Sequence, residues 1–172
     1  MPSITNIPGH IDHKGARLKN ILVCTLCIII PLVVGGLSGY ITSDKTNGWW
    51  FNSVEKPAFQ SLNNVFAPAW TSLYLLMGIS LYLVWKGPKT DLRRTALWIF
   101  GIQLLLNFWW SILFFSFHFL FLSIVDITIM WVLIFYMILL FRKMNPSAGY
   151  VNIPYLLWVS FATILNISLW IL

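Results

Sequence analysis

Charge is what this chain lacks. Asp, Glu, Lys and Arg make up 9% of its 172 residues, where a soluble domain carries about 25%. Too few ionic side chains remain to cover a water-facing surface, which excludes a soluble globular fold. Acid is scarcest: five Asp and Glu stand against eleven Lys and Arg, a formal net charge of +6. That balance can mark a nucleic-acid binder, but here the basic residues sit in short clusters between apolar runs. No basic groove interleaved with aromatics is present, so nucleic acid is not an expected partner. The histidines are His10, His13 and His118, two of them in the N-terminal arm. With paired acids and any Ser-His-Asp set also missing, neither a metal-ligand cluster nor a hydrolytic constellation can be assembled. Cys24 and Cys27 form one CxxC inside ILVCTLCIII, with no second pair to complete a metal or redox site. In such a run cysteine behaves as a small hydrophobe. Internal repeats and a broken-helix pair of the secondary-transporter kind are absent as well.

What the chain has in excess is apolar and aromatic: 59% hydrophobic residues, with ten Trp. Five stretches, roughly 20–41, 65–85, 95–115, 121–141 and 152–171, carry at most one Asp, Glu, Lys or Arg each. Each approaches the ~20 residues that cross a bilayer core. Period-2 alternation is missing, and backbone groups cannot face lipid unpaired. The expectation is an all-α integral membrane protein, a five-transmembrane-helix bundle and not a barrel. Residues 1–19 are expected to form a disordered basic arm before a single membrane domain over 20–172. The run after the arm is long enough to span and has no small-residue cleavage site behind it, so it reads as a helix and not a signal peptide.

The basic residues orient the bundle. Lys14, Arg17 and Lys19 precede the first stretch, Lys86, Lys89, Arg93 and Arg94 follow the second, and Arg142 and Lys143 follow the fourth. On the other side, Lys45 and Lys56 are offset by Asp44 and Glu55, and the 116–120 turn has only His118. By the positive-inside rule the N-terminus is cytoplasmic and the 42–64 loop lies on the far side, in a bacterial cell membrane. In a eukaryote the corresponding membrane would be the mitochondrial outer one. The 42–64 loop is the one sizeable polar segment between spans, and it is expected to act as a lid over a ligand pocket.

Polar side chains inside the spans point to that pocket. Gln103, Asn107, Trp110 and Phe114 are spaced i, i+4, i+7 and i+11, so they share one helix face. Two amides on one stripe must turn away from lipid, either to bond neighbouring helices or to contact a ligand. Asp126 is the one acid within an apolar run (FLSIVDITIMW). It is either a packing acid bonded to backbone or a nearby amide, or a direct ligand or proton group. In the fifth stretch Trp158, Ala162, Leu165 and Asn166 share a face, with Tyr155 one turn earlier; the second offers Tyr74, Gly78 and Leu81. Trp85, Trp98 and Trp170 sit at span ends and read as interfacial anchors. Trp109, Trp110, Trp131 and Trp158 do not, and flat aromatic walls with a few amides suit a flat, largely apolar ligand. Gly35 and Gly39 form a GxxxG that permits close helix approach, within the bundle or between protomers.

A set of motifs then matches a known pattern. It runs from Lys56-Pro57 through Val65-Phe66-Ala67-Pro68-Ala69-Trp70, Leu73-Tyr74-Leu75-Leu76-Met77-Gly78 and Tyr82-Leu83-Val84-Trp85-Lys86. It continues in Gln103-Leu104-Leu105-Leu106-Asn107, Trp110, Val125-Asp126, Pro154-Tyr155-Leu156-Leu157-Trp158 and Phe161-Ala162-Thr163-Ile164-Leu165-Asn166. Over about 150 residues the chain resembles the TspO/MBR family, the tryptophan-rich sensory proteins, whose mitochondrial relatives are translocator proteins or peripheral benzodiazepine receptors. The resemblance implies a bundle that is commonly dimeric, with a pocket opening toward the first loop. It implies a membrane receptor or sensor for porphyrins such as protoporphyrin IX and haem, for sterols, or for isoquinoline and benzodiazepine-type drugs. No cofactor is required, porphyrin or haem being the ligand, and no metal. The alternatives it implies are a light-dependent porphyrin-degrading enzyme, with Trp158 the candidate catalytic group, and a porphyrin or sterol transporter. The expected ligand-binding residues are Phe59, Tyr74, Gln103, Asn107, Trp110, Asp126, Trp158, Ala162 and Leu165. The chain departs from the pattern where the family loop KPxWxPP becomes Lys56-Pro57-Ala58-Phe59-Gln60-Ser61-Leu62, leaving Trp158 without its partner indole. It departs again where WPxxF becomes Trp110-Ser111-Ile112-Leu113-Phe114, which is expected to soften a proline kink. Ile167 and Ile171 stand where a sterol-associated segment would carry Tyr and Arg or Lys.

Overall fold

The computed structural model describes residues 13–46 and 63–171. Within them, five helical segments are long and apolar enough to cross a membrane, and no strand occurs. Helix α1 covers His13–Thr46, α2 Asn63–Trp85 and α3 Asp91–Ser111, which runs on into a π-helical turn, Ile112–Ser116. Helix α4 covers Leu120–Met144, and the fifth span is built from a short α5, Pro146–Tyr150, followed by α6, Ile153–Ile171.

The helices begin earlier than hydropathy alone indicates. Helix α1 is already formed at His13, so residues 13–19 of the expected arm are helical; residues 1–12 lie outside the described ones. Ala16, Arg17, Leu18 and Lys19 are good helix formers, and long basic side chains can reach the headgroups from a helix that continues past the hydrocarbon. Helix α3 starts at Asp91 because Thr90 caps it: the Thr90 hydroxyl accepts from Arg93 N–H at 3.2 Å, and Asp91 sits in the positive first turn. Helix α5 is capped in the same way by Asn145, which accepts from the N–H groups of Ser147 and Ala148, with Pro146 in the first turn where no donor is needed. Arg142 and Lys143 occupy the last turn of α4, where the helix dipole favours cations.

Two close approaches set the packing of α1 against α2. Pro31 lies inside α1 and has no N–H for the Cys27 carbonyl four residues back. Gly78 of α2 rests at that spot: a Cβ there would lie 2.5 Å from Ile28 Cα and 2.9 Å from the Cys27 carbonyl oxygen. Further along α1, a Cβ at Gly35 would fall on the Tyr74 ring. Of the GxxxG pair, then, Gly35 serves the bundle and Gly39 faces open space. Cys24 and Cys27 are free, the second buried, as expected of apolar filler.

Helix α1 packs on α2 and α3, α3 on α4, and α4 on α6, which gives an incomplete ring. Helices α2 and α6 have little backbone approach; their seam is closed at one end by α5. There the Ser80 hydroxyl donates to the Ala148 carbonyl at 2.7 Å, and the Asn152 amide donates to both. All three groups are fully buried. Elsewhere the seam is filled by aromatic side chains, and these form the site.

Ser111, at the position of the family pattern's proline, is the last residue of α3, and a π-helical turn begins directly after it. There the Phe117 N–H reaches back five residues to the Ile112 carbonyl at 3.1 Å.

Candidate functional site

The inward faces of α2, α3 and α6 bring four polar side chains into one chain of hydrogen bonds. Tyr74 Oη donates to Asn107 Oδ1 at 2.6 Å, Asn107 Nδ2 donates to Tyr155 Oη at 3.3 Å, and Tyr155 Oη donates to Gln103 Oε1 at 2.9 Å. The Met130 sulfur of α4 lies 3.7 Å from the same phenol oxygen. Tyr74, Gln103, Asn107 and Tyr155 are all buried. The stripe on α3 thus faces inward as its spacing predicts, and its amides bond neighbouring helices, one of the two roles open to them. Each bond in the chain polarises the next, so the network fixes side-chain positions in an otherwise apolar core.

Against this network lies a box of indoles and phenols. Trp70 is its centre: its ring stacks on Tyr74 at 5.7 Å and meets Trp110 at 6.0 Å, Tyr155 at 6.3 Å and Trp158, edge-on, at 6.4 Å. Trp110 in turn stacks on Phe114 at 5.4 Å. Sequence reasoning passed over Trp70 as a motif residue near the start of a helix. The available signal was its spacing of four from Tyr74, which places both on one face.

Two donors in this box have no acceptor among the described residues. Gln103 Nε2 and Trp110 Nε1 are buried without a hydrogen-bond partner there. Gln103 is 0% and Trp110 3% exposed, so neither reaches water or lipid headgroups. A buried polar group left unpaired costs about 1–3 kcal/mol, which an acceptor brought by a ligand would recover.

The remaining expected residues divide. Ala162 is buried on the inner face of α6, but that face is Tyr155, Val159, Ala162 and Asn166, and Trp158 and Leu165 stand half-buried beside it. Phe59 lies outside the described residues, as does most of the expected lid. Asp126 is half-buried on α4 and joins neither the hydrogen-bonded chain nor the ring contacts. Its Oδ2 has no partner among the described residues, so no amide among them caps that oxygen. Trp109 and Trp131 also fall away from the box: Trp109 is exposed, and Trp131 donates to Ser160 at 2.8 Å on the α4–α6 flank. The loop position whose change to Phe59 was expected to deprive Trp158 of an indole lies outside the described residues; within them, Trp158 meets Trp70 edge-on.

No group of three or more His, Cys, Asp or Glu comes together among the described residues. Among the described residues the box thus combines flat aromatic walls, a hydrogen-bonded polar floor and two buried donors without an acceptor, and it brings no nucleophile and base together.

The comparisons with known proteins agree with this architecture. The TspO/MBR family model matches residues 27–171. The chain belongs to the TspO/MBR family. It is 35% identical over 152 residues to a tryptophan-rich protein TspO of Chlorobaculum tepidum, covering 88% of this chain and 96% of that one. A protein of the same name from Archaeoglobus fulgidus is 36% identical over 154 residues, covering 89% and 98%. The human translocator protein is 31% identical over 123 residues, covering 70% and 73%. Five apolar helices and relatives of this kind make it a multi-pass membrane protein, and TspO/MBR membership supports a membrane sensor or receptor role in general.

Proposed function

We propose that this TspO/MBR protein is a receptor for flat, largely apolar molecules that carry a hydrogen-bond acceptor, tetrapyrroles such as protoporphyrin IX or haem first among them. Sterols and isoquinoline or benzodiazepine-type compounds are further candidates of the same shape. The ligand would slide into the α2–α6 seam beneath the 47–62 segment and displace or stack on Trp70. The observation that carries this reading is the pair of buried donors without a partner among the described residues, Gln103 Nε2 and Trp110 Nε1, the second on a ring that meets Trp70 at 6.0 Å. In the same reading the N-terminus is cytoplasmic, the membrane is that of a bacterial cell, and the protein works as a homodimer.

Trp110→Phe tests it most cleanly, because the lost N–H bonds nothing among the described residues. Protoporphyrin titration should weaken about tenfold, as expected for one buried hydrogen bond, at near wild-type thermal stability. Asn107→Leu should weaken binding further, with some loss of stability because Asn107 joins two tyrosines. Wild-type affinity in both variants would remove the box as the binding site.

One observation favours a second reading, light-dependent porphyrin breakdown: Trp70 and Trp158 meet at 6.4 Å, so a porphyrin in the seam would touch two indoles. Illuminated protein should consume protoporphyrin, and Trp158→Phe should abolish the loss. A rate equal to that in protein-free detergent sinks this reading.

A further inference from the structure

The end of the bundle away from the 47–62 segment has a feature that the aromatic box does not use. Helices α1 and α2 touch at Gly78 and then leave a groove between them of about 470 Å³. Its α1 wall is Arg17, Asn20, Ile21 and Cys24, spaced i, i+3, i+4 and i+7, with Ala16 at its mouth. Its α2 wall is Tyr82, over whose ring the Lys86 ammonium sits at 5.5 Å from the centroid. From Arg17 to Cys24 the wall descends about 10 Å along the helix axis, from the basic cluster into the apolar span that opens at Asn20. The groove is thus cationic and hydrogen-bonding at its mouth and apolar at its floor.

Nine of the eleven Lys and Arg of the chain stand at this end, with Asp91 the acid beside them among the described residues. One of these cations, Arg93, is spent on the Trp85 and Gly87 carbonyls. Arg17 and Lys86 flank the groove from its two walls. Trp85 and Trp98, exposed at the same end, mark the headgroup level.

We propose that this groove is a binding site for one anionic glycerophospholipid of the surrounding leaflet. Its phosphate takes Arg17, Asn20 and Lys86, and the upper part of an acyl chain lies on Ile21 and Cys24. A zwitterionic lipid presents the same phosphate with an added cation, which the basic mouth repels. A free phosphate would leave the apolar floor uncovered. The lipid fits both halves of the groove, and its site is separate from the aromatic box.

The test uses the full chain in nanodiscs of phosphatidylcholine with a minor fraction of phosphatidylglycerol, and native mass spectrometry to count the lipid retained on release. Wild-type protein should retain phosphatidylglycerol above its bulk fraction. Arg17→Gln and Lys86→Gln should each cut that enrichment about fivefold, the effect of one basic side chain near an anionic surface. Ile21→Trp, which fills the floor and keeps the charge, should cut it as well. Lys89→Gln with Arg94→Gln removes two charges from the same end outside the groove and should matter little. Protoporphyrin affinity should be unchanged in all these variants, which separates the groove from the box. Equal loss in the Lys89/Arg94 double variant would reduce the effect to general surface charge and overturn the site. So would unchanged enrichment in Ile21→Trp, or displacement of the lipid by millimolar inorganic phosphate.

Discussion

Gly35→Ala is the smallest change that reaches the centre of the site. The added methyl would fall on the Tyr74 ring, which is buried and stacked on Trp70. Carbon atoms pack at about 3.5–4.0 Å, so the ring must retreat by roughly 1.5 Å or α1 must move away. The Tyr74 hydroxyl holds Asn107 Oδ1 at 2.6 Å. A displacement of that size takes the oxygen out of hydrogen-bonding range and leaves a buried carbonyl without its donor. Over-packing costs about 1–3 kcal/mol, and the orphaned acceptor about 1–3 kcal/mol more. The expected destabilisation is therefore about 2–6 kcal/mol, read from reversible unfolding in mixed detergent. Two comparisons isolate the cause. Gly39→Ala adds the same methyl to the same helix where nothing lies within 4 Å, and should be near neutral. Tyr74→Phe removes the hydroxyl alone and should cost only the hydrogen-bond part. The double variant Gly35→Ala/Tyr74→Phe should fall short of the sum by about 1 kcal/mol, because the bond is lost only once. Full additivity, or a Gly35→Ala protein as stable as Gly39→Ala, would refute the argument that Gly35 exists to seat Tyr74.

Two further substitutions probe packing and the limits of the site. Gly78→Ala sets a methyl 2.5 Å from Ile28 Cα, a backbone atom that cannot rotate aside, so α1 and α2 should separate and the stability measured by unfolding should drop by about 1–3 kcal/mol. Asn166→Leu breaks the contact with Ser123, but the Ser123 hydroxyl still has the Leu120 carbonyl at 2.8 Å. Its cost should stay near the ~0.6 kcal/mol typical of such bonds between membrane helices, with protoporphyrin titration unchanged, since neither residue touches the Trp70 box.

How far the fold could be read from the sequence follows from which physical signal each feature leaves. The five spans were legible because hydrocarbon thickness imposes a length on apolar runs, and all five appear as helices. Their ends were not: Thr90 and Asn145 start helices by capping in polar segments that a hydropathy reading takes for loop. The stripe Gln103, Asn107, Trp110 and Phe114 was legible because two amides on one face must turn inward, and all four are buried. Trp109 and Trp110 show the limit. They are neighbours and chemically identical, yet one is 45% and the other 3% exposed, and only the rotation of α3 separates them. On α6 the choice of Trp158 as a leading residue followed its indole, whereas the buried stripe begins at Tyr155. Trp70 was missed although the expected span 65–85 contains it, because its spacing of four from Tyr74 was not read. In the structure Pro68 is the sixth residue of α2, past the N-terminal N–H groups that have no partner within a helix.

The polar floor of the box also bears on why a membrane bundle would carry it. Tyr74, Asn107, Tyr155 and Gln103 use their hydrogen bonds on one another, and the sum ties α2, α3 and α6 together. Stability alone accounts for those bonds, but not for the two donors left over. A leucine at 103 and a phenylalanine at 110 would keep the packing volume roughly and remove both unpaired N–H groups, although Tyr155 would lose the Gln103 carbonyl it donates to. Trp110 has no such excuse, since its N–H serves nothing among the described residues. It lies beside Trp70, where α2 and α6 meet mainly through side chains. In the proposed receptor, that donor is the one an incoming acceptor would take. That is why Trp110→Phe, silent for folding and costly for binding, is the substitution on which the receptor reading depends.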